Sequence, residues 1–275
     1  MLKNNKTIWT FWEPRRKLPN YLKLCMETWK KFLPEYDIVL LDYSNVDDYL
    51  GKGYYDDTLY KNFSLPKQAD AIRCAVLKRY GGVWLDTDTI ITSEKVKDIF
   101  NINSELILLH QHIGFIVAKP NAEVLCKWEY GIKKRIATYK NYQNNPVKKL
   151  LYPILRKRYL GKMERWNYLG NGILGYILRD ADENHFHSVD RLAIRALPEV
   201  NWAQENAISY DDPIKVYIEF YFENELSDYV LNATAGGGVV YLHNSWTPEK
   251  YRKMSKNNFL KQNFTLANIL KKLLI

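Results

Sequence analysis

Residues Gln68–Thr89 read QADAIRCAVLKRYGGVWLDTDT, and this stretch decides the fold. Pro66 opens a helix over Lys67–Tyr80, the pair Gly81-Gly82 stops it, and a short apolar strand, Val83–Leu85, runs into Asp86-Thr87-Asp88. Strand residues two apart point to the same side, so the spacing predicts both carboxylates facing one space at the strand's C-terminal end. Open α/β sheets bind ligands there. Two hard oxygen ligands, with the other positions left to water and phosphate oxygens, suit Mg²⁺ or Mn²⁺ beside a nucleotide diphosphate. A bare Asp-x-Asp is short and common, however, and alone reads as a polar turn. The helix before it adds Asp70 and Arg73, three apart and nearly on one face. An Asp can accept from a ribose hydroxyl and an Arg can clamp a phosphate with two parallel donors. The blander reading is an intrahelical ion pair worth about 0.3–0.5 kcal/mol.

Outward from this segment, β-branched and aromatic runs at Thr7–Trp12, Asp37–Leu41, Glu105–Leu109, Gly114–Ala118 and Val239–Leu242 predict further strands. Helical patterns between them, Tyr21–Phe32 among them, give an α/β sheet flanked by helices. No linker divides the 275 residues, so the expectation is a single domain over residues 1–275 with a basic helical insertion at 133–165, interrupted by Pro146 and Pro153. That insertion holds eleven basic residues and one acid, Glu164, of a chain with 40 basic and 31 acidic residues, which leaves the remainder nearly neutral. One basic block on a neutral chain points to a local anionic partner, an acidic lipid surface or a phosphorylated acceptor, and not to nucleic acid. A second basic run, 250–275, carries Phe259, Leu260, Phe264, Ala267, Leu270, Leu273 and Leu274 on approximately one helical face. It reads either as a helix packed on the core or as an anchor on an anionic membrane. Cys25, Cys74 and Cys126 sit among apolar neighbours and read as buried free thiols of a reducing compartment. With no signal-like segment and no run of eighteen apolar residues, the expected location is cytoplasmic, peripheral at the inner face of the membrane.

Gln68-Ala69-Asp70-x-x-Arg73 followed by Tyr80-Gly-Gly-Val-Trp-Leu-Asp-Thr-Asp-Thr89, with Ile8-Trp9-Thr10-Phe11-Trp12 near the start, resembles the sugar-binding region of glycosyltransferase family 32 and of bacterial capsular polysaccharide synthesis proteins. The resemblance implies a GT-A fold, a Rossmann-like mixed sheet flanked by helices. It also implies a nucleotide-sugar donor, most often a UDP-sugar, a divalent cation (Mn²⁺ or Mg²⁺), retention of anomeric configuration and a glycan acceptor, lipid-linked in some pathways, for capsule, O-antigen or lipooligosaccharide. Trp12 matches an aromatic against the nucleotide base, with Thr10 and Phe11 offering backbone contacts. Asp70 and Arg73 match the donor-binding Asp-x-x-Arg, Trp84 the aromatic before the carboxylates, and Asp86 and Asp88 the metal-binding pair, Asp88 foremost. His243-Asn244-Ser245-Trp246 resembles the family's late His-x-x-Ser-Trp motif, here one residue tighter. It implies His243 as a further metal ligand and catalytic group, and Ser245 and Trp246 as donor contacts. Ile113 stands where a polar Asn is frequent, and Leu169-Gly170-Asn171-Gly172 is similar to a Thr-Gly-Pro turn.

Departure of a nucleoside diphosphate builds negative charge that a cation, Arg73 and His243 or Trp246 would stabilise. Gly236-Gly237-Gly238 before the late motif suggests a hinge for a closing lid. Asp211 and Asp212 are as well explained by a loop before Pro213 as by a nucleophile's role. Two other classes compete. A sugar-phosphate nucleotidyltransferase also needs paired carboxylates, but Trp12–Pro19 lacks its glycine-rich loop. A non-catalytic carbohydrate- or nucleic-acid-binding module could use the eight Trp and twenty-one Tyr, but many of these fall in apolar runs that read as core.

Overall fold

The computed structural model describes residues 6–110, 112–151, 165–182 and 185–275. Among them, strands run at Thr7–Phe11 (β1), Asp37–Leu41 (β2), Gly82–Leu85 (β3), Thr89–Ile91 (β4), Leu106–Leu109 (β5), His112–Ala118 (β6), His187–Val189 (β7) and Val239–Tyr241 (β8). Six of these fall on the runs read as strands; β4 and β7, three residues each, are too short to carry a period. The chain divides into two compact units. The first comprises Met1–Glu13, Val39–Trp84 and Asn103–Ser188, and the second Pro14–Ile38, Leu85–Ile102 and Val189–Ile275.

The first unit is built on a six-stranded sheet of order β2-β1-β3-β6-β5-β7. β1 pairs parallel to β3, with Ile8 opposite Val83 and Trp9 opposite Trp84, while β5 and β6 are antiparallel. This is the mixed, helix-flanked α/β arrangement expected. The helix Leu65–Tyr80 buries ten residues between Lys67 and Leu77. Gly81 and Gly82 have φ of 65° and 95°, in the left-handed region that a side chain resists, and so reverse the chain from helix into β3. The Trp9 indole secures the turn by donating to the Gly81 carbonyl at 2.9 Å. Against this helix lies Glu123–Asn144, joined by a Lys78–Glu129 ion pair of 2.6 Å. The expected insertion at 133–165 therefore begins inside an element of the core, since Ile132, Ile136 and Tyr142 are buried on that helix. A short helix, Pro146–Leu150, follows, and residues 152–164 of the expected insertion lie outside the described residues.

In the second unit, β4 and β8 pair antiparallel, Thr89 opposite Tyr241 and Ile91 opposite Val239. The helix Asn20–Phe32 is fastened to β4 twice: Trp29 Nε1 donates to the Thr89 carbonyl (2.8 Å) and Thr28 Oγ1 accepts from Ile91 N (3.0 Å). The C-terminal run forms Glu249–Arg252, Lys256–Leu260 and Thr265–Leu274. The last of these packs on Asn20–Phe32 and Ser227–Ala233 and buries Leu266, Ile269 and Leu270 completely. At about 1.5–3 kcal/mol for each such side chain, withdrawal from the core costs more than the about 1 kcal/mol that each lysine gains at an anionic surface. Of the two readings of residues 250–275 the packed helix is the one found, and its Lys272 is paired with Asp228. The triple glycine also differs from the hinge expected. A Cβ on Gly237 would lie 2.8 Å from the Ile194 carbonyl oxygen, and one on Gly238 would lie 2.6 Å from Val96 N, so these glycines serve close packing. Cys25 and Cys74 are buried, whereas Cys126 is only half-buried. Among the described residues no helix is long and apolar enough to cross a membrane.

Candidate functional site

Each unit carries one cluster of the residues singled out by sequence. In the first, Asp70 and Arg73 stand one turn apart on Leu65–Tyr80, Arg73 Nη1 lying 3.7 Å from Asp70 Oδ1. The guanidinium stacks 4.8 Å from the Trp84 ring and donates to the Ile113 carbonyl. That last contact uses a backbone atom, so an apolar side chain at Ile113 leaves it intact. Both charged residues are only 4% exposed. The Leu169–Gly172 turn, weak as a sequence signal, comes directly onto them: a Cβ on Gly170 would stand 2.4 Å from Asp70 Oδ2 and 2.7 Å from Ile113 Cδ1. At the end of β1, Thr10 is fully buried with Oγ1 lacking a hydrogen-bond partner among the described residues. Phe11 is buried against Tyr43, with ring centroids 6.0 Å apart. Trp12 is half-buried, and its backbone N–H donates to the Leu41 carbonyl at 3.0 Å. Sequence reasoning passed over Tyr43, an exposed phenol that donates to Gln68 Oε1 and so touches the first residue of the QAD motif.

The second cluster surrounds the two carboxylates. Asp86, Thr87 and Asp88 are not strand residues: β3 ends at Leu85, β4 begins at Thr89, and Thr89 N donates to the Asp86 carbonyl at 3.0 Å. A four-residue turn, closed by that hydrogen bond, thus replaces the strand geometry expected. Asp86 and Asp88 remain half-buried with Thr87 buried between them. Both also act on one group, the Tyr241 phenol, which burial foremost and then these carboxylates push well above its ordinary range.

Asp88 fastens the late motif. Its carbonyl accepts from Leu242 N (2.9 Å) and its Oδ2 from Asn244 N (3.0 Å). Asn244 Oδ1 accepts in turn from the Tyr21 hydroxyl (2.6 Å), while the Tyr217 hydroxyl shares a hydrogen bond with Thr247 Oγ1 and accepts from His243 N. The His243 ring lies on Trp246, centroids 3.9 Å apart, and its Nε2 faces Glu199 Oε1 at 4.0 Å. Ser245 is exposed and Trp246 half-buried. No sequence signal selects Glu199, because an acid after a proline in a helix's first turn is an ordinary helix start. Yet it is completely buried, and burial raises its carboxyl to about 7. Asp212 caps Pro213–Ile218 by accepting from Lys215 N, and Asp211 accepts from Ser209, so both belong to that loop.

As a cation site the turn fits by the chemistry of its donors, two partly exposed carboxylates on neighbouring positions. Among the described residues no group of three or more His, Cys, Asp or Glu side chains is arranged to hold a metal ion, and His243 is turned to Glu199 and Trp246. The three-ligand set of Asp86, Asp88 and His243 is therefore not assembled here, and a cation on the two aspartates would take its other ligands from water and phosphate.

Sheet and carboxylate turn together define a mixed α/β protein with a two-aspartate candidate site. The family described as capsular polysaccharide synthesis protein matches residues 1–190, and the chain belongs to that family. The matched segment contains Asp70, Arg73, Trp84, Asp86 and Asp88 and ends before Glu199 and His243. Among solved structures the chain is similar to a PaToxG glycosyltransferase at 14% identity, over 98% of this chain and 87% of that one, with a TM-score of 0.38. No curated protein matches.

Proposed function

We propose that the protein is a glycosyltransferase of surface-polysaccharide synthesis, moving a sugar from a nucleotide-sugar donor, in the simplest case a UDP-sugar, to a glycan acceptor with retention of configuration. The observation that carries this reading is the Asp86–Thr89 turn, whose Asp88 is hydrogen-bonded to the backbone of the His243–Trp246 loop. Membership in a capsule-synthesis family supports it, as does the motif resemblance to glycosyltransferase family 32.

Asp86 and Asp88 would hold Mn²⁺ or Mg²⁺, which supplies Lewis-acid stabilisation of a diphosphate leaving group. The protein's own part is positional. Asp88 holds the late loop through Asn244 N, so a carboxylate that meets the cation also fixes the backbone beside it. Trp246 and His243 form a half-buried ring pair on that loop, able to cover a ligand and exclude water. Half-buried Trp12 offers a face to an aromatic base, and buried Asp70 and Arg73 brace Trp84 and the Gly170 turn.

Titration calorimetry with UDP in the presence and absence of Mn²⁺, followed by a panel of UDP-sugars assayed for hydrolysis, tests the proposal. Metal-enhanced UDP binding and turnover of at least one donor are expected. A nucleotidyltransferase would instead form pyrophosphate from a nucleoside triphosphate and a sugar phosphate, and that product would replace the present reading.

A further inference from the structure

Glu199 lies outside the family match and outside every motif read from the sequence, yet it is the most deeply buried acid near the late loop. The helix Pro198–Glu205 brings it beneath His243, where Tyr221 donates to Oε2 at 3.2 Å. Tyr221 is in place because residues Glu219–Glu223 form a π-helical turn, a distortion that often marks a functional position. The other oxygen, Oε1, has no hydrogen-bond partner among the described residues. A buried carboxyl oxygen without a donor costs about 1–3 kcal/mol, a cost that persists where function requires the group. The N–H-capable atom facing it is His243 Nε2, at 4.0 Å. An approach of about 1 Å would complete a hydrogen bond. Aromatics also grip the ring, Trp246 at 3.9 Å and Tyr217 at 5.7 Å between centroids, and such contacts set its plane without choosing which nitrogen carries hydrogen.

We infer that Glu199 is a positioning residue for His243: its Oε1 accepts from Nε2–H and thereby fixes the orientation and tautomer of the imidazole beside the carboxylate turn. The tautomer of a histidine is set by the hydrogen bond one of its nitrogens makes. Oε1 can accept whether the carboxyl is ionised or protonated, since a protonated carboxyl keeps its carbonyl oxygen. A glutamine in its place keeps that acceptor, and a leucine does not. The catalytic consequence rests on the glycosyltransferase reading, whereas the tautomer does not, so the two can fail separately.

The test is long-range ¹H–¹⁵N correlation of the imidazole rings in the full chain at pH 8, where an unperturbed imidazole is neutral. His243 is assigned among the five histidines by the signal lost in His243→Gln. Wild type and Glu199→Gln should show the Nε2–H tautomer, and Glu199→Leu a mixture. In the donor-hydrolysis assay, Glu199→Leu should lower kcat about 10–100-fold, the range typical of removing a histidine's outer partner, with KM within about twofold. Glu199→Gln should restore most of the rate. An Nδ1–H tautomer in wild type, or a His243 signature unchanged in a folded Glu199→Leu protein, overturns the assignment. Should Glu199→Leu not fold, the wild-type tautomer decides alone. A wild type with no donor turnover but the expected tautomer would discard the glycosyltransferase reading and keep the Glu199–His243 contact.

Discussion

Asp70 and Asp88 are both aspartates of the segment on which the sequence reading turned, but they are built differently. Asp70 is 4% exposed, paired with Arg73 on its own helix and closed over by a glycine turn with no room for a methyl group. Asp88 is half-buried in a four-residue turn, and its carboxylate accepts from a loop backbone N–H. Low dielectric makes a buried ion pair costly to break and poorly available to solutes, whereas a partly exposed carboxylate can exchange water for a cation at small cost. We propose that, each within its own unit, the first cluster serves as a frame and the second as the candidate for chemistry.

The sharpest way to break this contrast is Asp88→Asn. An amide keeps the acceptor for Asn244 N but removes the anionic ligand, so metal-dependent donor turnover should fall by about 100-fold or more with an unchanged melting temperature. Turnover within a few-fold of wild type would remove Asp88 from the metal site. The buried acid of the same unit supplies the next largest effect. Folded Glu199 holds its proton to about pH 7, while its ordinary value of 4.5 governs the unfolded chain. The folded state therefore binds the extra proton between these values. Stability is fully present below about 4.5 and is lost as pH rises through 7, a fall of about 3 kcal/mol for this one group. Urea denaturation at pH 5 and pH 8 checks the slope, and Glu199→Gln should flatten it.

Turning to the frame, Gly170→Ala places a methyl against Asp70 Oδ2 and Ile113 Cδ1. Overpacking of this kind costs about 1–3 kcal/mol, read as a lower urea midpoint at constant slope. An alanine tolerated without loss would show that the turn is free to withdraw from Asp70.

Much of this architecture was legible because it rests on local rules. The period of Leu65–Tyr80, the glycine pair that stops it and the apolar β3 all follow from residues adjacent in sequence. The strand alternation carried on from Val83–Leu85 to Asp86 and Asp88 gives way to a turn because the next strand, β4, takes its pairing from β8, about 150 residues away. Glu199 was invisible for a similar reason: Tyr221 and His243, which face its carboxyl, lie far along the chain from it. The glycine run at 236–238 misled because a hinge and a close approach ask for the same residue, and only the proximity of Val96 and Ile194 separates them.

The smallest expected effect tests whether Arg73 belongs wholly to the frame. Its guanidinium does three things at once: it faces Asp70, donates to the Ile113 carbonyl and sits over the Trp84 ring. A lysine brings one compact ammonium and no plane, so Arg73→Lys can keep the charge near Asp70 but loses either the carbonyl or the ring contact. A cation–π contact and a charge-assisted hydrogen bond are each worth about 1–3 kcal/mol, and the longer reach of solvent into the gap offsets part of that. The expected outcome is a stability loss of about 1–2 kcal/mol with UDP affinity changed by less than about threefold, since a side chain 4% exposed presents little surface to a nucleotide. Thermal melts and UDP titration on the same preparation separate the two quantities. A tenfold or greater loss of UDP affinity at an unchanged melting temperature would move Arg73 out of the frame and into the donor contact that its motif resemblance implies.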